Sequence, residues 1–104
     1  MTEQELLLWK VLMSGSRSRE TAVSQLHRVR NDFRDRKDND ELAVAHIDAA
    51  IAFLYLSSCP PLSDEWVEWY EVFSDALKKI EVLSPGSKVC LAAQQAVSDL
   101  ILAG

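Results

Sequence analysis

In the stretch that follows Ser63, the large apolar residues Trp66, Tyr70, Phe73, Leu77 and Ile80 recur at intervals of four, three, four and three. That spacing returns to one face of an α-helix, with its period of 3.6 residues, and does not fit a strand, whose faces alternate every second residue. The same rhythm carries Ala22, Leu26, Val29 and Phe33, widened by Val23, and again Val89, Ala93, Ala96 and Leu100. Residues 40–57 are apolar almost all round, the pattern of a helix enclosed by its neighbours. This helix is expected to be the most buried, with Leu42, Ile47, Ile51, Phe53 and Leu54 in the core. Ala43, Ala45, Ala49, Ala50 and Ala52 would let adjacent helices approach closely. No strand-like alternation occurs anywhere, nor any internal repeat.

Capping and breaking residues divide the chain into five helical segments. Thr2 and Glu5 form a T-x-x-E capping box for residues 3–13, which Ser14-Gly15-Ser16 ends. Ser18 caps residues 19–37, and Asp38-Asn39-Asp40 caps the apolar segment 40–57. After the stiff Cys59-Pro60-Pro61-Leu62 loop, Ser63 caps a fourth helix, with Asp64 and Glu65 in its first turn facing the helix dipole favourably. Ser84-Pro85-Gly86-Ser87 separates it from a fifth, over 87–102, for which Ser84 with Pro85 at the first helical position is an alternative start. A chain of 104 residues, 48% hydrophobic and 26% charged, fits one domain over 1–104 with one core. The expected fold is all-α, a single compact bundle of about five helices.

Cys59 and Cys90 are too few for a disulfide framework and are not spaced as a metal or redox pair, so they read as reduced thiols. Glu3 and Glu5 stand where a secretory signal would carry Lys or Arg. The longest apolar run, 42–56, is interrupted by His46 and Asp48 and is shorter than the ~20 residues of a membrane span. These features point to a cytoplasmic protein with no membrane association.

The signals for catalysis are few. His46 lies among Leu42, Ala49, Ala50 and Phe53 at helical spacing, the setting of a hydrogen-bonded core histidine more than of an acid, base or ligand. His46 and Asp48 are two apart and point to different sides of a helix, so they cannot share a metal. The Asp38, Asn39, Asp40, Glu41 cluster lacks the spacing and distal Glu of a calcium loop and reads as a cap. There is no phosphate-binding glycine loop, no H-E-x-x-H and no G-x-S-x-G. Glu65, Glu68 and Glu71 have the three-residue spacing of magnesium-dependent helical hydrolases, but no matching acidic pair lies on another long helix. The expectation is a non-enzyme with no cofactor and no metal.

Charge is distributed unevenly. Residues 17–37 hold seven basic side chains and three acidic ones, whereas residues 38–77 hold nine acidic and no Lys or Arg. Asp64, Glu68, Glu71 and Asp75 repeat at four, three and four, opposite the Trp66–Ile80 stripe, with Trp69 and Val72 at the border. Such ordered like charges cost a helix a few tenths of a kcal/mol per pair. An acidic stripe edged by an aromatic suits a basic partner, because carboxylates steer encounter while the aromatic supplies buried area. A merely solvated face, or one turned to the chain's own basic segment, is the plainer alternative. The expected role is a non-catalytic, protein-binding regulator of the inhibitor, immunity, chaperone or assembly-factor type, using Asp64, Glu68, Trp69, Glu71, Val72 and Asp75 against another protein with a basic surface. The alternative is a nucleic-acid-binding regulator using the basic helix 19–37, where His27, Arg30 and Arg34 share one flank. The net charge of −5 disfavours nucleic acid.

Overall fold

The most apolar segment of the chain lies at the centre of the computed structural model. The structure describes Leu6, Leu8, Trp9, Val11, Leu12, Ser24, His27, Arg28, Asn31 and residues 41–103. Three complete helices fall within them: α1 (Glu41–Leu56), α2 (Asp64–Leu83) and α3 (Lys88–Ala103). The nine described residues before α1 are helical too, and no strand occurs among the described residues. The two expected helices over 3–13 and 19–37, with their Thr2, Gly15 and Ser18 signals, otherwise lie outside the described residues, as does the Asp38-Asn39-Asp40 cap. The Cα radius of gyration is 12.9 Å, the size of a compact chain of this length.

On α1, Ala43, Ala45, Ala49, Ala50 and Ala52 are buried together with Ile47, Ile51, Phe53, Leu54 and Leu56, so the helix has almost no solvent face. Leu42, expected in the core, is only half-buried because it lies in the first turn. The small alanine side chains let α2 lie close along α1, and this pairing dominates the contacts between complete helices. Two aromatic pairs are included in it. Phe53 and Phe73 have ring centroids 6.0 Å apart, and Tyr55 and Trp69 are stacked at 4.0 Å and 6°. Leu8 is buried in the same core, with Trp9, Val11 and Leu12 packed against it.

Serines finish α1. Ser57 Oγ donates to Leu54 O at 2.9 Å, and Ser58 Oγ donates to Tyr55 O at 2.9 Å. These bonds satisfy carbonyls that the end of a helix leaves open. The loop then makes a tight turn in which Ser63 N donates to Pro60 O at 3.2 Å. Pro61 occupies the position that favours proline in a type II turn, and Leu62 follows at φ 65°, where that turn ordinarily takes glycine. A leucine in the left-handed region costs about 1–2 kcal/mol.

Ser63 caps α2 as expected, in extended backbone, with its Oγ accepting from Trp66 N at 3.3 Å. At the other end Ser84 closes α2, its N–H bonded to Ile80 O at 2.7 Å. Ser84 and Pro85 therefore do not start α3. Gly86 stands at φ 78° and supplies the reversal, and Cys90 N donates to Ser87 O at 3.3 Å as α3 begins. The buried face of α3 is Val89, Cys90, Ala93 and Val97. Ala96 and Leu100, expected on that face, are half-buried, so the helix is rotated from the expected orientation.

Candidate protein-binding surface

Successive residues of a helix are 100° apart, and α2 uses that geometry to present three different faces. Trp69, Phe73, Ala76 and Ile80 turn to the core with α1. Asp64, Glu68, Glu71 and Asp75 turn outward, and all four are exposed. None of these carboxylates forms a hydrogen bond or ion pair with a described residue. The basic segment 19–37, which the sequence offered as an alternative neighbour for this stripe, lies mostly outside the described residues.

The third face belongs to Trp66, Val67, Tyr70 and Leu77. It forms one wall of a groove of about 920 Å³, whose other wall is α3, with Cys90, Leu91, Val97 and Ile101. Near the turn the walls meet, where the Cys90 thiol approaches Leu77 O at 3.8 Å. Away from that point α2 and α3 touch little. The groove stays open and leaves apolar side chains in solvent: Leu62 is 65% exposed, Leu91 69% and Tyr70 42%. By helical position Val67 and Glu71 are neighbours, so the acidic stripe runs along the rim of the α2 wall.

Two aromatic residues exchange the places expected from the sequence. Trp69, expected at the edge of the acidic face, is half-buried against Tyr55 and belongs to the α1–α2 packing. Tyr70, expected in the core stripe, is exposed in the groove and stacks on Trp66 at 5.3 Å and 8°. Trp66 itself is buried, and its indole N–H has no hydrogen-bond acceptor among the described residues. Val72 is 45% exposed, on the side of the acidic stripe away from the groove.

The remaining candidates lie elsewhere. His46 is buried, and its Nδ1 is 2.9 Å from Leu42 O. A carbonyl can only accept, so Nδ1 carries the proton and the ring is tied to its own helix. His27 is exposed, while Arg30 and Arg34 lie outside the described residues. A smaller cavity of about 370 Å³ is lined by Glu41 and Asp48 together with Lys78 and Lys79. Among the described residues, no group of three or more His, Cys, Asp or Glu is placed to hold a metal ion. No described helix is long and apolar enough to cross a membrane.

The wall contributed by α3, with Leu91 and Ile101, was not foreseen from the sequence. The available signal was an apolar arc on residues 87–102 that is wider than one packing contact uses. The chain matches no protein-family model, no curated protein and no solved structure.

Proposed function

We propose that this chain is a non-catalytic, protein-binding regulator, of the inhibitor, immunity, chaperone or assembly-factor kind, that takes a partner with a basic surface on the outward side of α2. The observation that carries this reading is the exposed stripe of Asp64, Glu68, Glu71 and Asp75 running beside an open apolar groove. Soluble monomers rarely leave a continuous apolar face uncovered, and such faces mark interaction sites. Carboxylates at the rim speed encounter with a basic partner, and apolar contact then slows its release. The working site is Asp64, Glu68, Glu71, Asp75 and Val72, with Tyr70 as its exposed aromatic in place of Trp69. The reading includes a cytoplasmic, reducing location, in which Cys59 and Cys90 remain thiols, and a full bundle of about five helices.

Photo-crosslinking in the native source tests it, with a photoreactive amino acid in place of Val67 or Val72, and of Ser58 as reference. A discrete protein adduct is expected from 67 and 72 but not from 58. It should be lost when Glu68→Lys and Glu71→Lys are combined. An adduct unaffected by the charge reversal at low salt would overturn the reading, as would no adduct from either α2 position.

A further inference from the structure

We infer that the groove between α2 and α3 receives a single amphipathic α-helix of the partner, its apolar face on the groove floor and its basic flank along the α2 carboxylates. This rests on the protein-binding reading above and specifies the form of what is bound.

The backbone of the walls selects the form. Both walls are α-helices, whose N–H and C=O groups are already bonded within the helix. They offer no free edge to pair with an extended peptide. A strand laid in this apolar groove would leave its own backbone groups unsatisfied. A helix arrives with those bonds made and presents only side chains, the helix-in-groove mode of recognition.

The side-chain rows select the same form. Trp66, Tyr70 and Leu77 line one wall, with the buried Phe73 between core and groove completing intervals of four, three and four, and Cys90, Gln94, Val97 and Ile101 line the other at the same intervals. Rows with this repeat accept the ridge of a third helix whose apolar residues recur at three and four. Charge then fixes its orientation about its own axis. The α2 rim carries Asp64, Glu68, Glu71 and Asp75. Further along, Lys78 and Glu81 line the groove and offset each other, so the rim keeps an acidic excess. On the outer side of α3 the exposed Lys88 and Asp99 offset each other. The basic flank therefore faces α2. The same carboxylates repel nucleic acid and anionic lipid.

Leu62 gives an independent indication. It combines a left-handed backbone with a side chain left mostly in solvent, at the Trp66 end of the groove. Neither property helps this chain to fold. An exposed leucine there has a use once an occupant covers it.

The test uses fluorescent synthetic peptides of about 18 residues, long enough to follow most of α2. The first has Leu at alternating three- and four-residue intervals with Lys on one flank. The second replaces Lys with Glu, and the third carries Pro at its centre. Binding to the full chain is read by anisotropy at low ionic strength. The Lys peptide should bind, and the Glu and Pro peptides should bind about tenfold more weakly or worse. Leu91→Asp and Val67→Asp should each weaken the Lys peptide by about tenfold. Both positions are exposed, so the fold is kept. Each change adds a negative charge, which would strengthen attraction by charge alone.

Unchanged or tighter binding to the two Asp variants would overturn the inference, because the peptide would then rest on the carboxylates and not in the groove. Equal binding of the Pro peptide would overturn the helical form. No binding of the Lys peptide would overturn the inference, even if crosslinking from 67 and 72 still traps a partner and so keeps the broader reading. Dimerisation in sedimentation equilibrium that Leu91→Asp abolishes would make the occupant a second copy of this chain.

Discussion

Trp69 and Tyr70 are adjacent in sequence and have opposite fates, and the cause lies on another helix. The stack with Tyr55 draws Trp69 into the α1–α2 packing, while Tyr70 stacks on Trp66, its neighbour one turn back on the same helix. Trp69→Ala is therefore expected to cost roughly 2–4 kcal/mol of folding stability, read as a lowered urea midpoint, because it empties a packed site. Tyr70→Ala should cost about 1 kcal/mol or less, since its ring is already 42% exposed. Equal losses at the two positions would mean that neither ring is placed as described. Trp66→Phe should change stability by less than about 1 kcal/mol. It removes volume from the core but also removes a buried N–H that has no acceptor among the described residues. Periodicity placed Trp66, Trp69 and Tyr70 on α2 but could not rank them, because the residue that distinguishes Trp69 from Tyr70 is Tyr55.

Among the helices, the signals that proved legible are those that act within one or two turns of backbone. Ser63 is the clearest, a side-chain acceptor with an N–H three residues on to satisfy. Ser63→Ala is expected to lower stability by about 1 kcal/mol, and a change below a few tenths would remove the cap from the account. Leu62→Gly should act in the opposite direction, raising the melting temperature by relieving a positive φ at little cost in contacts. The same variant should bind the Lys peptide more weakly, so stability and affinity would move in opposite senses. The rotation of α3 was harder to foresee. Its sequence offers apolar residues over a broad arc, and which part is buried depends on where the other helices lie. All four line the groove, but Val97 and Cys90 are buried at its floor, whereas Leu91 and Ile101 stand exposed on its wall.

For the whole molecule, the helical class and the central place of residues 40–57 could be read directly, because an almost fully apolar helix has no alternative but enclosure. The acidic stripe could be read too, but the groove beside it could not, since a cavity between two helices is a property of neither alone. The open groove and the one-sided rim together make the protein's behaviour in bulk solution depend on ions. At neutral pH the net charge of −5 keeps copies apart. Added salt shortens the reach of that repulsion, while the apolar walls lose none of their tendency to leave water. Acidification toward the isoelectric point near 4.9 removes the charge itself. Light scattering should therefore show the second virial coefficient falling with either treatment, and Leu91→Asp should delay the fall. The carboxylates that welcome a basic helix would then also act as the molecule's colloidal stabiliser, guarding the groove against its own kind until a partner fills it.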